Sequence, residues 1–353
     1  MVAIEVLRDD LRKTRVVDAA PRGVLGEGEV ELVVDSFGLS ANNVTYAAFG
    51  ESMAYWRFFP ASDDRWGCVP GWGFGDVLNS NAPGIEVGER FYGYFPMARG
   101  ARMRVEAGGG GMVAVDDHRR QLPAIYNKYL RTSPDAPHQD ETLLLRPLFA
   151  TSFLIEAFLA GQGYFGAEAV VLSSASSKTA YGLAFVLARA AGSPEVIGLT
   201  SARNLAFVEQ LGLYDRVLTY DEIELDHDAL VYVDMAGDAA VREAVHRLAG
   251  DRLRHSAVVG ATHWDGPAVG AEPLPGPAPE FFFAPTQLEL LEAQLGSREL
   301  QRQMGDAWNE FMGQAAGWMD VERGAGPDEV ERVWRALVEG TVDPRRGHVL
   351  TLG

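Results

Sequence analysis

The stretch AVVLSSASSKTAYGLAFVLARAAGSPEVIGLTSAR, residues Ala169 to Arg203, decides the fold. Its opening run, Ala169-Val170-Val171-Leu172, is short, apolar and bounded by small polar residues, the pattern of a strand covered on both faces. After Ser173, Ser174, Ala175, Ser176 and Ser177, apolar residues recur at helical spacing from Ala180 through Leu183, Ala184, Leu187 and Ala188 to Ala191. Gly192 supplies the stop that a helix C-terminus favours. Val196-Ile197-Gly198-Leu199 then reads as a second strand ending at Thr200 and Ser201. Strand, tight turn, helix and strand make a βαβ crossover, the unit that binds a dinucleotide at its first turn.

The usual turn, G-x-G-x-x-G, is absent. Glycines serve there because the backbone must bend sharply and approach a pyrophosphate; serines are small, and their hydroxyls add to the N–H groups at the helix N-terminus. Lys178 falls in the first helical turn, where the helix dipole disfavours a cation unless an anion compensates it. Ser174, Ser176, Ser177, Lys178 and Thr179 are therefore candidate phosphate contacts. The same residues suit equally well a serine-rich N-capping turn on an ordinary helix. Ser177-Lys178-Thr179 resembles the end of a P-loop, but Leu172 and Ser177 stand where that motif needs glycine. At the end of the second strand, an NAD site would carry an acidic residue for the ribose 2′-OH. This chain has Thr200, Ser201, Arg203 and Asn204, hydroxyls and a guanidinium that suit a 2′-phosphate, although Arg203 alone would read as a solvated residue opening a helix. Taken with the turn, they favour NADP(H).

From Ala169 to Tyr220, with Leu205 to Gly212 and the later Val233-Asp234-Met235-Ala236-Gly237-Asp238, the sequence resembles the cofactor domain of the medium-chain dehydrogenase/reductase superfamily, in its zinc-independent, quinone-reductase-like branch. The turn SSASSKT, residues 173–179, is similar to that of a bacterial branch whose members mostly have no assigned function. The likeness extends over nearly the whole chain, with GFGDV (73–77) and YGYFP (92–96) as further marks. It implies a chaperonin-10-like β-barrel and a doubly wound, parallel Rossmann-like sheet, an α/β architecture. It also implies that Asp234, Met235, Ala236 and Gly237, with Gly260, Ala261, Thr262 and His263, pass beneath the nicotinamide. A homodimer joined through the cofactor sheet is usual for such relatives.

The 353 residues are 47% apolar and 23% charged, enough for two domains with separate cores. Thirty-one basic residues against 49 acidic ones give a net charge of −18, and no basic run exceeds two residues, which argues against a nucleic-acid partner. Cys68 is the single cysteine, so neither a disulfide nor a Cys-rich zinc lobe can form within the chain. Charges at Glu5, Arg8, Asp9, Asp10, Arg12 and Lys13 leave no signal-peptide core, and no run of 18 uncharged apolar residues exists, so cytoplasm rather than membrane is expected.

Residues 1–143 read as strands and loops of a substrate domain. Val30 to Phe37 partly alternates as a strand does, and Ser40 to Tyr46 reads as a polar loop. Crowded glycines and aromatics, among them Trp56, Trp72, Tyr92 and Tyr94, suggest a small twisted barrel. A long apolar pattern from Glu141 to Ala160, helical in its second half despite Pro147, opens the expected NADP-binding domain at 144–317. Apolar runs at 214–218, 229–234 and 256–260, separated by helical segments, continue a parallel sheet. Residues 318–353 are expected to return to the barrel.

Seven histidines and one cysteine show no metal-ligand spacing, so no zinc is expected. Without a metal, the hydride acceptor must be polarised by hydrogen-bond donors. The resemblance places Tyr46 and Asn43 in a loop facing the nicotinamide, with Tyr94 and Tyr126 as further donors. A Ser/His/Asp hydrolase fails because no G-x-S-x-G elbow occurs in the serine turn. The reading is an NADPH-dependent, zinc-independent reductase of a small carbonyl, quinone or activated alkene, apolar or aromatic in character, acting in the cleft between barrel and sheet. The alternative is a non-catalytic NADP(H)-binding sensor of the same fold.

Overall fold

The computed structural model describes residues 2–18, 23–61, 63–108, 110–260 and 273–353. Its elements are β1 (Val2–Leu7), β2 (Asp10–Asp18), β3 (Glu29–Leu39), α1 (Ala41–Ala48), β4 (Trp66–Gly67), β5 (Pro70–Ser80), β6 (Arg90–Pro96), β7 (Gly100–Gly108), β8 (Gly111–Ala114) and β9 (Lys128–Thr132). There follow α2 (Gln139–Gly161), β10 (Ala169–Leu172), α3 (Lys178–Leu187), β11 (Glu195–Thr200), α4 (Leu205–Leu211), β12 (Arg216–Thr219), β13 (Leu230–Asp234), α5 (Ala239–Ala249), β14 (Leu253–Val258) and β15 (Glu280–Phe281). The chain ends with α6 (Ala284–Leu295), α7 (Ser297–Ala315), β16 (Asp320–Ala325), α8 (Pro327–Val338) and β17 (Arg346–Thr351). Two compact units result: Met1–Leu144 with Asp320–Gly353, and Leu145–Met319.

In the first unit, β3, β5, β6, β9, β8 and β7 pair in that order, and β7 pairs back to β3. This closes a six-stranded antiparallel barrel, which leaves no exposed edge on the ring itself. Its interior explains the glycines among the aromatics. A Cβ on Gly93 would lie 2.2 Å from the Tyr129 ring, so only glycine lets that ring cross β6. The Tyr129 hydroxyl then donates to the Tyr94 carbonyl at 2.6 Å, fixing β9 to β6 beyond their ladder. Strand β17 adds to β3 through His348↔Leu39 to Leu350↔Phe37, and β16 runs parallel to β17. Helix α8 buries Val330, Val333, Trp334, Leu337 and Val338, and the Trp334 indole donates to the Leu11 carbonyl at 2.8 Å.

Two segments depart from the sequence reading. Ser40 to Tyr46 is helical from Ala41 onward rather than a polar loop: the Ser40 hydroxyl accepts from the Asn42 amide, and Asn43 Oδ1 accepts from the Ser40 amide at 2.8 Å. That reciprocal capping compensates for residues of poor helix propensity. Helix α2 runs through Pro147 instead of starting after it. Proline deprives the Leu143 carbonyl of its helical partner. That oxygen instead abuts Gly38, where a Cβ would come within 3.0 Å of it. Among the described residues α2 is also the helix long and apolar enough to cross a bilayer, though 56% of that window is buried.

In the second unit the parallel sheet has the order β12-β11-β10-β13-β14-β15, with the sequence reversing direction between β10 and β13. That is the 3-2-1-4-5-6 order of the dinucleotide-binding fold, whose ligand lies at the carboxyl ends of the strands beside the reversal. Val170, Val171, Leu230, Val231, Tyr232 and Val233 are all fully buried, as strands covered by helices on both faces must be. Gly182 seats α3 closely on α2: a Cβ there would meet Ser152 Oγ at 2.8 Å, and that hydroxyl bonds the carbonyls of Thr179 and Leu148. Before β10, Gly163, Tyr164, Phe165 and Gly166 have φ of +57°, +51°, +55° and +68°, one left-handed turn that ends any continuation of α2. Phe165 stacks on His255 at 4.4 Å.

Candidate functional site

The carboxyl ends of β10, β11, β12 and β13 bring the serine turn, the Thr200–Asn204 corner and Asp234–Gly237 together. Ser174 has φ +48°, the left-handed conformation for which glycine is selected in such turns. Its amide donates to the Tyr220 hydroxyl at 3.0 Å, and its own hydroxyl lies 3.4 Å from the same oxygen. The Ser177 hydroxyl caps α3 by accepting from the Ala180 amide at 3.2 Å. Asn204 Nδ2 donates to Ser176 Oγ at 3.2 Å, tying the corner after β11 to the turn after β10. Lys178 and Thr179 are half-buried in the first turn of α3, and Arg203 is exposed on a short 3₁₀ turn, Ala202–Asn204.

Ser201 provides the most pointed observation in this crevice. Its hydroxyl is buried, yet among the described residues it has no hydrogen-bond partner. An unmet buried hydroxyl costs about 1–3 kcal/mol, so such groups normally mark a missing partner. Thr200 is buried at the end of β11, where its carbonyl accepts from the Tyr220 amide at 3.0 Å. Tyr220 was not singled out in the sequence; the only signal for it was an aromatic residue immediately after the third strand.

Asp234 ties three segments together. It is completely buried, and Oδ2 accepts from Arg242 Nη1 at 2.9 Å. Oδ1 accepts from Ser173 Oγ at 3.1 Å and from the amides of Gly237 and Ala236 at 2.9 and 3.3 Å. Burial pushes its carboxyl up, against the pull of the Gly237 amide and of Arg242. Both oxygens are thus spent on joining β13, α5 and the serine turn, an arrangement in which losing one partner strands a buried charge. The Ser173 hydroxyl also accepts from the Met235 amide at 3.0 Å, so the two strand ends are locked together. Met235 and Ala236 are buried beside this junction, Gly237 is half-buried, and Gly260 is buried just beyond β14. Ala261, Thr262 and His263 lie outside the described residues.

In the barrel unit, three of the four residues singled out for chemistry meet. Tyr46, Tyr94 and Tyr126 pack with Tyr55 and Phe58, and the Tyr94 and Tyr126 rings are 4.6 Å apart. Trp72 Nε1 donates to the Tyr46 hydroxyl at 3.3 Å, and the hydroxyls of Tyr55 and Tyr126 are 3.1 Å apart. The Tyr94 hydroxyl is buried with no partner among the described residues. Burial raises the pKa of all four phenols, so each is a neutral hydroxyl at ordinary pH, able to donate a hydrogen bond. Asn43 stands apart from them: its carbonyl caps α1, and its amide donates to the Pro70 carbonyl at 2.9 Å. Those bonds give it a structural task.

Beside the cluster, Arg119 is 2% exposed and forms no ion pair among the described residues. Its guanidinium sits 4.5 Å over Phe59 and 5.7 Å over Phe58, and donates to the Tyr129 hydroxyl at 3.2 Å. Cys68 is buried, and its thiol is pushed up to about 12, which leaves it unreactive. No three His, Cys, Asp or Glu side chains among the described residues are grouped to hold a metal ion.

A closed antiparallel barrel and a parallel sheet of this strand order, both in one chain, match the fold that the resemblance implied. Solved structures agree. The NADPH complex of CurA from Vibrio vulnificus has 14% identity and a TM-score of 0.66, over 100% of this chain and 99% of that one. A quinone oxidoreductase from Pseudomonas syringae pv. tomato DC3000 shares 14% identity at a TM-score of 0.60, over 99% of each chain. YhdH of E. coli K-12, with NADPH bound, shares 16% identity at 0.57, over 99% of this chain and 100% of its own. No curated protein matches this sequence. The chain itself belongs to the family described as "Protein of unknown function (DUF2855)", whose profile matches residues 37–343.

Proposed function

We propose that this protein is an NADPH-dependent oxidoreductase that reduces a small carbonyl, quinone or activated alkene without zinc. The unpartnered, buried Ser201 hydroxyl at the end of β11 carries the reading, because an orphan donor beside Arg203 fits the 2′-phosphate of NADP(H). The crevice residues suit the rest of the dinucleotide: Ser174, Ser176 and Lys178 border the helix N-terminus, where backbone amides and the dipole favour a pyrophosphate. Tyr220 belongs with them. Its oxygen accepts from the Ser174 amide and lies 3.4 Å from the Ser174 hydroxyl, which sets it at the edge of the same turn. Similar folds crystallised with NADPH, CurA and YhdH among them, support the same cofactor.

When bound, NADPH supplies a hydride. The chain's own residues must then hold the acceptor and bring a proton to the oxygen on which negative charge develops. The Tyr46 hydroxyl suits that task, since the Trp72 indole already donates to its oxygen and leaves its proton for another acceptor. The aromatic surroundings of Tyr46, Tyr94, Tyr126 and Trp72 favour an apolar or aromatic substrate. We place the protein in the cytoplasm, as a homodimer.

Calorimetry on Arg203→Ala tests the cofactor assignment. Affinity for NADPH should fall about tenfold or more while affinity for NADH changes little, a phosphate contact of this kind being worth roughly 1.5–3 kcal/mol. Equal losses for the two nucleotides would remove the 2′-phosphate from the argument. Steady NADPH oxidation with a panel of quinones, enones and aldehydes tests the reaction; tight binding with no turnover would leave a nucleotide-binding sensor.

A further inference from the structure

We propose that Tyr220 takes over in this chain the part that glycine plays in the usual dinucleotide turn: it holds Ser174 left-handed and so sets the backbone that receives the pyrophosphate of NADP(H). This rests on the NADP(H) reading above and deepens it, by giving the turn after β10 a positioning residue from beyond β12.

The need arises at Ser174. A side chain at φ +48° strains the backbone where glycine would not, because its Cβ crowds the neighbouring carbonyl. Ser174 is also where the turn closes: its carbonyl accepts from the Ser177 amide at 2.7 Å, and Ser177 caps α3. A change of φ at Ser174 would therefore swing the first turn of α3, whose amides and dipole favour a phosphate.

Tyr220 meets that need from a fixed position. Its hydroxyl accepts from the Ser174 amide at 3.0 Å, which fixes the peptide plane on which the φ of Ser174 depends. The tyrosine is itself held: its amide donates to the Thr200 carbonyl at 3.0 Å, and with Leu218 and Ile223 it packs against the buried cluster around Val171, Leu199 and Tyr232.

The neighbours of Ser174 are gripped from outside the turn as well. Ser173 donates to Asp234 at 3.1 Å, the Ala175 carbonyl accepts from the Tyr214 hydroxyl at 2.8 Å, and the Ser176 hydroxyl accepts from Asn204 at 3.2 Å. Of these four turn residues only Ser174 has a left-handed φ, so the bond to Tyr220 is the one that stands in for a glycine. Room for the turn comes from β11 instead, where a Cβ on Gly198 would lie 2.7 Å from the Tyr214 ring and 2.9 Å from Ala175.

Calorimetry with NADPH on Tyr220→Phe, made in the parent and in Ser174→Ala and Ser174→Gly backgrounds, tests the assignment. Phenylalanine keeps the ring and removes the acceptor. Affinity should fall about three- to tenfold, the worth of one hydrogen bond, in the parent and in the alanine background, where a Cβ still has to be held. In the glycine background Tyr220→Phe should change affinity by less than about twofold, since glycine holds a left-handed φ unaided. The alanine background sets aside the 3.4 Å contact between the two hydroxyls, which it removes. Adenosine 2′-monophosphate, which lacks the pyrophosphate, should bind parent and variants alike; a general loosening of the crevice would weaken it too and overturn the assignment. Equal losses of NADPH affinity in every background would mean that the phenol serves the nucleotide directly, and no loss in the parent that the turn needs no help. Either result overturns the proposal and leaves the NADP(H) reading standing. If the unaltered protein takes up no NADPH, that reading falls, and thermal melting still decides the turn. Tyr220→Phe should lower the melting temperature in the parent and alanine backgrounds and not in the glycine one, and a uniform shift overturns it.

Discussion

Ser174 holds a side chain in a backbone conformation that costs an ordinary residue about 1–2 kcal/mol and glycine almost nothing. The hydrogen bond from its amide to Tyr220 offsets part of that cost. This is why the crevice at the strand ends was legible only in part. Serines at a strand-to-helix turn announce small polar groups at the helix N-terminus, but a distant tyrosine completing the turn leaves no local pattern. Asp234 was visible as a residue at a strand end, and its ion pair with Arg242 was not, since the two meet only through the packing of α5. His246 shows the same limit. Its ring is fully buried between the Pro275 carbonyl at 2.8 Å and the Ser256 hydroxyl at 2.9 Å, bonds that a neutral imidazole satisfies with one donor and one acceptor. Burial holds His246 and His255 below the usual imidazole range. On acidification the unfolded chain takes up these protons first, so stability should fall as the pH drops below about 6.5 and be insensitive to both rings above it. Urea unfolding at about pH 7.5 and 5.5 checks the sign, and His246→Asn should flatten the slope. Equal stability at both values would show that these rings are not held neutral.

Among the elements, the strands of the parallel sheet were the easiest to read. Runs such as Val170-Val171-Leu172 and Leu230-Val231-Tyr232-Val233 are buried on both faces, and their shortness, β-branched content and flanking turn residues favour a covered strand over a buried helix. Helix α1 was hidden because Asn42, Asn43 and Thr45 are weak helix formers, and its capping box uses Asn in place of the usual Glu or Gln. Helix α2 was cut short in the reading because proline ordinarily stops a helix, while here a contact from β3 meets the carbonyl that Pro147 leaves over. The tyrosine cluster draws on α1, a 3₁₀ turn at 55–57, β6 and a second 3₁₀ turn at 124–127, segments joined only in three dimensions. Strand β6 offers a direct test of that packing. Gly93→Ala puts a methyl group 2.2 Å from the Tyr129 ring, and overpacking of this kind costs about 1–3 kcal/mol or more. Denaturant unfolding should show that loss; a variant as stable as the parent would mean that β9 can move away from β6 freely.

At the level of the whole molecule, the unit that contains the barrel is assembled from both ends of the sequence, with Leu145–Met319 intervening. Strand β17 pairs with the last residues of β3, and α8 anchors Leu11 through Trp334. Removing residues 346–353 should therefore unpair residues 37–39 of β3 and lower the melting temperature by several degrees, with more aggregation on heating. A truncated chain melting like the parent would show that β17 contributes nothing to β3. The same pairing bears on how the protein is made. A ribosome releases the chain from its amino end, so β3 emerges well before its partner β17. Throughout synthesis of the intervening 175 residues, from 145 to 319, the far end of β3 waits with one side open. During that interval the nascent polypeptide depends on chaperones, or on quick folding of the middle segment, to keep neighbouring copies from taking the place reserved for its own β17.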